Sequence, residues 1–145
     1  MSDASRSLVE RAFTQVVSRA RWLGRVPLLP LFADALAQAA VAITDPGRLR
    51  AMRRVERQAA GWNGVTSGWH RFGGVEFRAD SREFAHLHGC GLLDARVGRE
   101  NARALVTAGH AEPHHVFGDS VWVSFWIRTE ADIPGALEML KLARG

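Results

Sequence analysis

In the stretch "REFAHLHGCGLLD", Arg82 to Asp94, two histidines stand two residues apart and an aspartate closes the run. Imidazole serves as base, acid or metal ligand near neutral pH. Strand side chains alternate, so His86 and His88 on one strand point to the same side. Five of the six histidines fall between positions 86 and 115: His86, His88, His110, His114 and His115. Two chemistries stay open. The pair can hold a divalent metal, with Asp94 or His114 as a further ligand. Alternatively, the imidazoles shape a polar cleft and bond to carboxylates and backbone. Cys90 lies between them and Asp94, but a lone small thiol is more commonly a packed core group than a nucleophile. Glu76, Arg78 and Arg82 offer anion-binding or general-base groups on the same face, or a cross-strand ion pair.

The elements that position these groups follow from periodicity. In "VWVSFWI", 121–127, Val121, Val123, Phe125 and Ile127 form a face to press on helices. The other face carries Trp122, Ser124 and Trp126, which suits a pocket lining. Phe84, His86 and His88 share a face by the same parity, opposite Ala85 and Leu87. "WNGVTSGWHRFGGVEFRAD" reads as a strand pair joined near Gly73–Gly74, followed by a short turn at Asp80–Ser81. "GRENARALVTAGH" reads as a short helix stopped by Gly109. "EADIPGALEMLKLARG" reads as a final helix with Pro134 in its first turn.

Before these lie three helical segments. The first spans Leu8 to Ala20 and ends before Gly24 and Pro27. The second, Leu29 to Ile43, is apolar on most of its circumference and is expected to be buried or to face a partner. The third begins with Asp45 as N-cap and Pro46 as first helical residue. It turns Leu49, Met52, Val55 and Ala59 inward and sends its arginines mostly outward. Helices first, then short antiparallel connections, predict an α+β fold. The sheet is expected to have about four to five strands, packed on helices. The division is residues 1–45 as an N-terminal helical segment and 46–145 as the α+β domain.

The chain has 145 residues, 47% hydrophobic and 23% charged, which fits a folded domain with one core. Its net charge is +4, with 18 arginines among 19 basic residues. No helix-turn-helix or RNA-binding signature accompanies them, so no nucleic acid is expected. Arginines on both sides of the apolar run at Val26–Ile43 leave peripheral membrane contact open, as is a homo-oligomer. One cysteine and an opening without a secretory pattern fit a cytoplasmic protein. Phosphate-cradling and dinucleotide-binding glycine motifs, the nucleophile elbow and the H-E-x-x-H zinc motif are absent.

Several runs, in order, resemble the luciferase-domain family, a mostly bacterial group that also covers the C-terminal part of the fungal luciferase. They are G-G-V-E-F-R at Gly73–Arg78, R-E-F-A-H-L-H at Arg82–His88, Asp94, E-P-H-H at Glu112–His115 and W-V-S-F at Trp122–Phe125. The resemblance spans Gly61 to Arg144. It implies a small-molecule site and the oxidation of a hydroxylated pyrone by molecular oxygen, with no bound organic cofactor. His86, His88 and His114 then match the catalytic histidines. Trp122 and Trp126 wall the substrate ring, while Ser124, Arg78, Asp94 and His115 complete the binding set.

Overall fold

Alternating apolar residues build a six-stranded antiparallel sheet. Strands β1 (Val65–Trp69), β2 (Val75–Ala79), β3 (Arg82–Leu87) and β4 (Leu92–Arg96) run as a meander. Strand β6 (Trp122–Trp126) pairs with β4, and the two-residue β5 (Glu112–Pro113) pairs with the outer edge of β6. The spatial order is therefore β1-β2-β3-β4-β6-β5. This is the expected α+β class, with one strand more than the upper expectation. The structure, a computed structural model, describes Glu10, Arg11, Gln15, residues 29–71 and residues 73–145. The helix read between Leu8 and Ala20 falls largely outside the described residues, as does the break at Gly24 and Pro27.

One face of the sheet carries the core. Phe77, Ala85, Leu87, Leu93, Ala95 and Val123 are buried there in cross-strand register. Two helices contribute the other half of that core. Helix α2 (Pro46–Ala60) contributes Ala51, Met52, Val55 and Ala59. Asp45 accepts the Arg48 amide at 3.0 Å as its N-cap, and Pro46 occupies the first turn as expected. The C-terminal helix α4 (Ile133–Arg144) contributes Ile133, Ala136, Met139, Leu140 and Ala143. Between β4 and β5, helix α3 (Arg99–Thr107) buries Ala102. Gly109 follows it with a φ of 71°, the left-handed conformation that ends helices.

Two expectations are corrected. Phe84 does not share the histidine face. The β2–β3 register passes from Phe77↔Ala85 to Arg78↔Glu83, so Phe84 is an extra, bulged residue. Its ring turns into the core, 6.3 Å from that of Phe77. The bulge also inverts the residue before it, which swings Glu83 onto the histidine face. The second correction concerns only the burial alternative for helix α1 (Leu29–Thr44), expected to be buried or to face a partner. The helix is not largely buried: only Asp34 and Val41 are enclosed, while Phe32, Leu36 and Ile43 are exposed. Among the described residues no helix is long and apolar enough to cross a membrane.

Helix α1 reaches the sheet through two glycines. A Cβ on Gly73 would collide with the Asp34 side chain, and one on Gly89 would collide with the Asp34 carbonyl. The β1–β2 and β3–β4 turns thus lie directly against the Asp34 turn of α1. A second tie runs through Arg48, which is buried rather than outward. Its guanidinium meets the fully buried Glu10 at 2.7 Å, and Arg128 grips the same carboxylate at 3.1 and 3.2 Å.

Candidate functional site

The face opposite the core centres on Asp94. Strand pairing places Glu76, His86, Asp94 and Ser124 in one row across β2, β3, β4 and β6, with Glu112 on β5 at its end. Asp94 is fully buried, and its two oxygens have different partners. Oδ1 accepts from the Ser124 hydroxyl. Oδ2 faces four imidazoles: His88 Nε2 at 3.1 Å, His86 Nε2 at 3.2 Å, His115 Nδ1 at 3.3 Å and His114 Nε2 at 3.8 Å. One of these rings comes from β3 and one from the residue just past its end, and two come from the segment that follows β5 and folds back over the sheet.

The far sides of the His86 and His88 rings also meet carboxylates. His86 Nδ1 lies 2.7 Å from Glu83, and His88 Nδ1 lies 3.7 Å from Asp34. Asp34 Oδ1 also accepts the Gly89 amide at 2.7 Å. Burial pulls the His88 pKa down, but Asp34 and Asp94 outweigh it and push the value up to about 9. His86 moves upward for the same reasons: burial opposes the charge, and bonds to Asp94 and Glu83 win. Burial would raise Asp94, yet His115, His86 and His88 hold its carboxyl well below the usual range.

His114 and His70 are neutral groups. Burial lowers His114 to about 4. Its Nδ1 accepts the amides of Val116 and Phe117, each at 3.1 Å. A neutral imidazole accepting at Nδ1 carries its proton on Nε2, so His114 turns an N–H toward Asp94. His70 stacks on His86 with ring centroids 4.3 Å apart, and its Nε2 lies 3.5 Å from Glu83. Burial, with His86 next to it, lowers His70 to about 4.

The sequence-derived residues are distributed as follows. His86, His88, His114, His115, Asp94 and Ser124 converge. Trp122 joins them, its ring 5.5 Å from His86 and 6.1 Å from His114. Trp126 lies further along the same face, buried with Cys90 and Leu92, and points its indole N–H at Glu112. Arg78 is held at the hairpin by Glu76 and the Ser81 carbonyl. Among the described residues, His86 and His88 do not share one metal-competent group of three. The groups are His86–Asp94–His114, His88–Asp94–His115 and His70–Glu83–His86.

Sequence reasoning missed Asp34, His70 and Glu83. Asp34 left one signal: a carboxylate inside an apolar helix is costly without a partner. Glu83 left none, because the bulge that turns it inward is a tertiary event. A cavity of about 630 Å³ opens elsewhere, between α1, α2 and the β1–β2 hairpin, with Phe32, Arg53 and Trp69 in its walls. Its link to the cluster is Asp34, and none of the imidazoles lines it.

Cys90 is buried, and burial pushes its thiol up to about 12. The native protein is therefore expected to resist a disulfide-exchange reagent at pH 8. The thiol should react only on unfolding in denaturant, with one equivalent released. Rapid native-state reaction would show that the thiol is reached from solvent.

A family described as Luciferase domain matches residues 81–143. The match contains β3, β4, α3, β5, β6 and most of α4, and with them Asp94 and the four imidazoles around it. Gly73–Arg78, His70 and Asp34 lie before it. Comparisons with curated proteins and with solved structures give no match. Over residues 81–143, somewhat less than half of its length, the chain is similar to the luciferase-domain family.

Proposed function

We propose that the protein binds a small enol- or phenol-type molecule at the imidazole cluster, holds it as its anion and presents that anion to molecular oxygen. The observation that carries this reading is the convergence of four imidazoles on Asp94 beside Trp122. The cluster offers an anion two kinds of group. His86 and His88 supply positive charge in a site shielded from water, where fixed charges act more strongly than in solution. His114 supplies a neutral N–H donor. His88 is enclosed between Asp34 and Asp94 and acts as fixed charge. His86 retains a partly open edge next to Trp122, so it is the ring that can touch the ligand. The flat indole of Trp122 suits a conjugated ring. The family match supports the oxygen step, and the site's own residues support the anion.

A saturation test uses 4-hydroxy-6-methyl-2-pyrone as probe, read by tryptophan fluorescence, with oxygen uptake followed in parallel. Saturable binding is expected. It should weaken by roughly 10–100-fold in His86→Ala, the loss typical of one charge-assisted hydrogen bond. Circular dichroism should show the variant folded. A folded His86→Ala that binds the probe like the parent would sink the reading.

A further inference from the structure

We infer that His88, Asp94 and His115 form a site for one first-row divalent transition metal, with coordination positions left open toward the ligand. The inference rests on reading this cluster as the functional site and adds the ion that would work there. Asp94 Oδ2 has about two lone pairs, yet four ring nitrogens crowd it within 3.8 Å. A cation beside that oxygen would lie within reach of the same ring nitrogens.

The spacing suits an ion. Two ligand atoms bonded at 2.0–2.1 Å to one metal, at about 90–110° to each other, lie about 2.9–3.4 Å apart. His88 Nε2 and His115 Nδ1 lie 3.1 and 3.3 Å from Asp94 Oδ2, and the three ligand atoms are mutually within 4.8 Å. The His88 and His115 rings stand at 82°, so their in-plane lone pairs can converge without the rings colliding. Two imidazoles and one carboxylate are a donor set that holds such metals with open positions. On binding, the ion would displace the proton His88 carries in the metal-free protein and supply the positive charge in its place. His88 also presents its other nitrogen to Asp34, the carboxylate–histidine pairing that orients metal-bound imidazoles.

The other two groups fit less well. In His86–Asp94–His114, His114 spends its Nδ1 lone pair on two backbone amides, so its Nε2 holds the proton. In His70–Glu83–His86, the rings are stacked at 7°, which keeps their in-plane lone pairs side by side rather than convergent.

Cobalt(II) titration of chelator-treated protein under nitrogen tests the site. One equivalent should bind and give visible ligand-field absorption. Zinc(II) should compete for it and raise the melting temperature. His88→Ala and His115→Ala should each weaken cobalt binding by at least about 100-fold, and Asp34→Asn by about 10-fold. His86→Ala should retain the bands. If His88→Ala does not fold, the less enclosed His115→Ala carries the test. The inference is overturned if the parent takes up no cobalt, if the bands survive in folded His115→Ala, or if they vanish in folded His86→Ala. The pyrone titration, run with and without cobalt, separates this from the proposed function. Probe binding without metal uptake removes the metal site alone; metal uptake without probe binding removes the small-molecule reading alone.

Discussion

Replacing Asp94 by asparagine is expected to cost about 3–5 kcal/mol of folding stability, the penalty for removing one partner of a buried ion pair. Asparagine nearly matches the shape but carries no charge, so the enclosed His88 would keep only Asp34 as a counter-charge. The pH dependence follows from the two shifts. His88 is raised from 6.5 to about 9, so its contribution is complete below 6.5 and lost as pH rises through 9. Asp94 is held well below 3.8, so its contribution is present above 3.8 and lost as pH falls through its lowered value. The parent should therefore exceed the variant most between pH 4 and 6.5, and least above 9. Urea unfolding in chelator across that range measures it. A deficit that is flat from pH 5 to 10 would mean that the charge on His88 does not couple to Asp94.

The second large effect is expected at Glu10. Its carboxylate is fully buried and pairs with both Arg48 and Arg128. Glu10→Gln should destabilise by about 3 kcal/mol, the lower end for a broken buried pair. The lower end applies because Arg48 keeps Asp45 at 3.5 Å and the Cys90 carbonyl at 3.3 Å. Replacing Glu10 and Arg48 together by leucine and methionine should recover much of the loss, since Arg128, which also loses Glu10, is partly open to water. A double-mutant cycle in urea gives the coupling directly. Additive losses from the single changes would show that the pair does not couple.

The α+β class was legible because its signals are local. The Val123 and Phe125 alternation, the Asp45–Pro46 helix start and the Asp80–Ser81 turn each involve a few neighbouring residues. Strand β4 was harder to read. Leu92, Leu93, Asp94 and Ala95 are all buried, so the strand shows no polar alternation, and its aspartate resembles a turn residue. Helix α1 misled for a related reason. Its apolar circumference suggested burial, but Asp34 turned inward to His88 and Gly89 while Phe32, Leu36 and Ile43 stayed outside. Hydropathy does not register that a carboxylate gains more from two partners than a leucine gains from partial cover.

On the site, residue type and parity were enough to group His86 and His88 on one face and to link them with Asp94, Ser124 and Trp122. A strand's period of two reaches that far without any knowledge of neighbours. Only the tertiary structure decided which groups complete the cluster. The Phe84 bulge turned Glu83 toward His86, the packing of α1 brought Asp34 to His88, and the β5–β6 connection laid His114 and His115 over Asp94. It also separated His86 and His88 into different ligand groups, although they are two residues apart. Alternation assigns a side chain to a face, but the point at which its ring nitrogen arrives depends on residues from elsewhere in the chain.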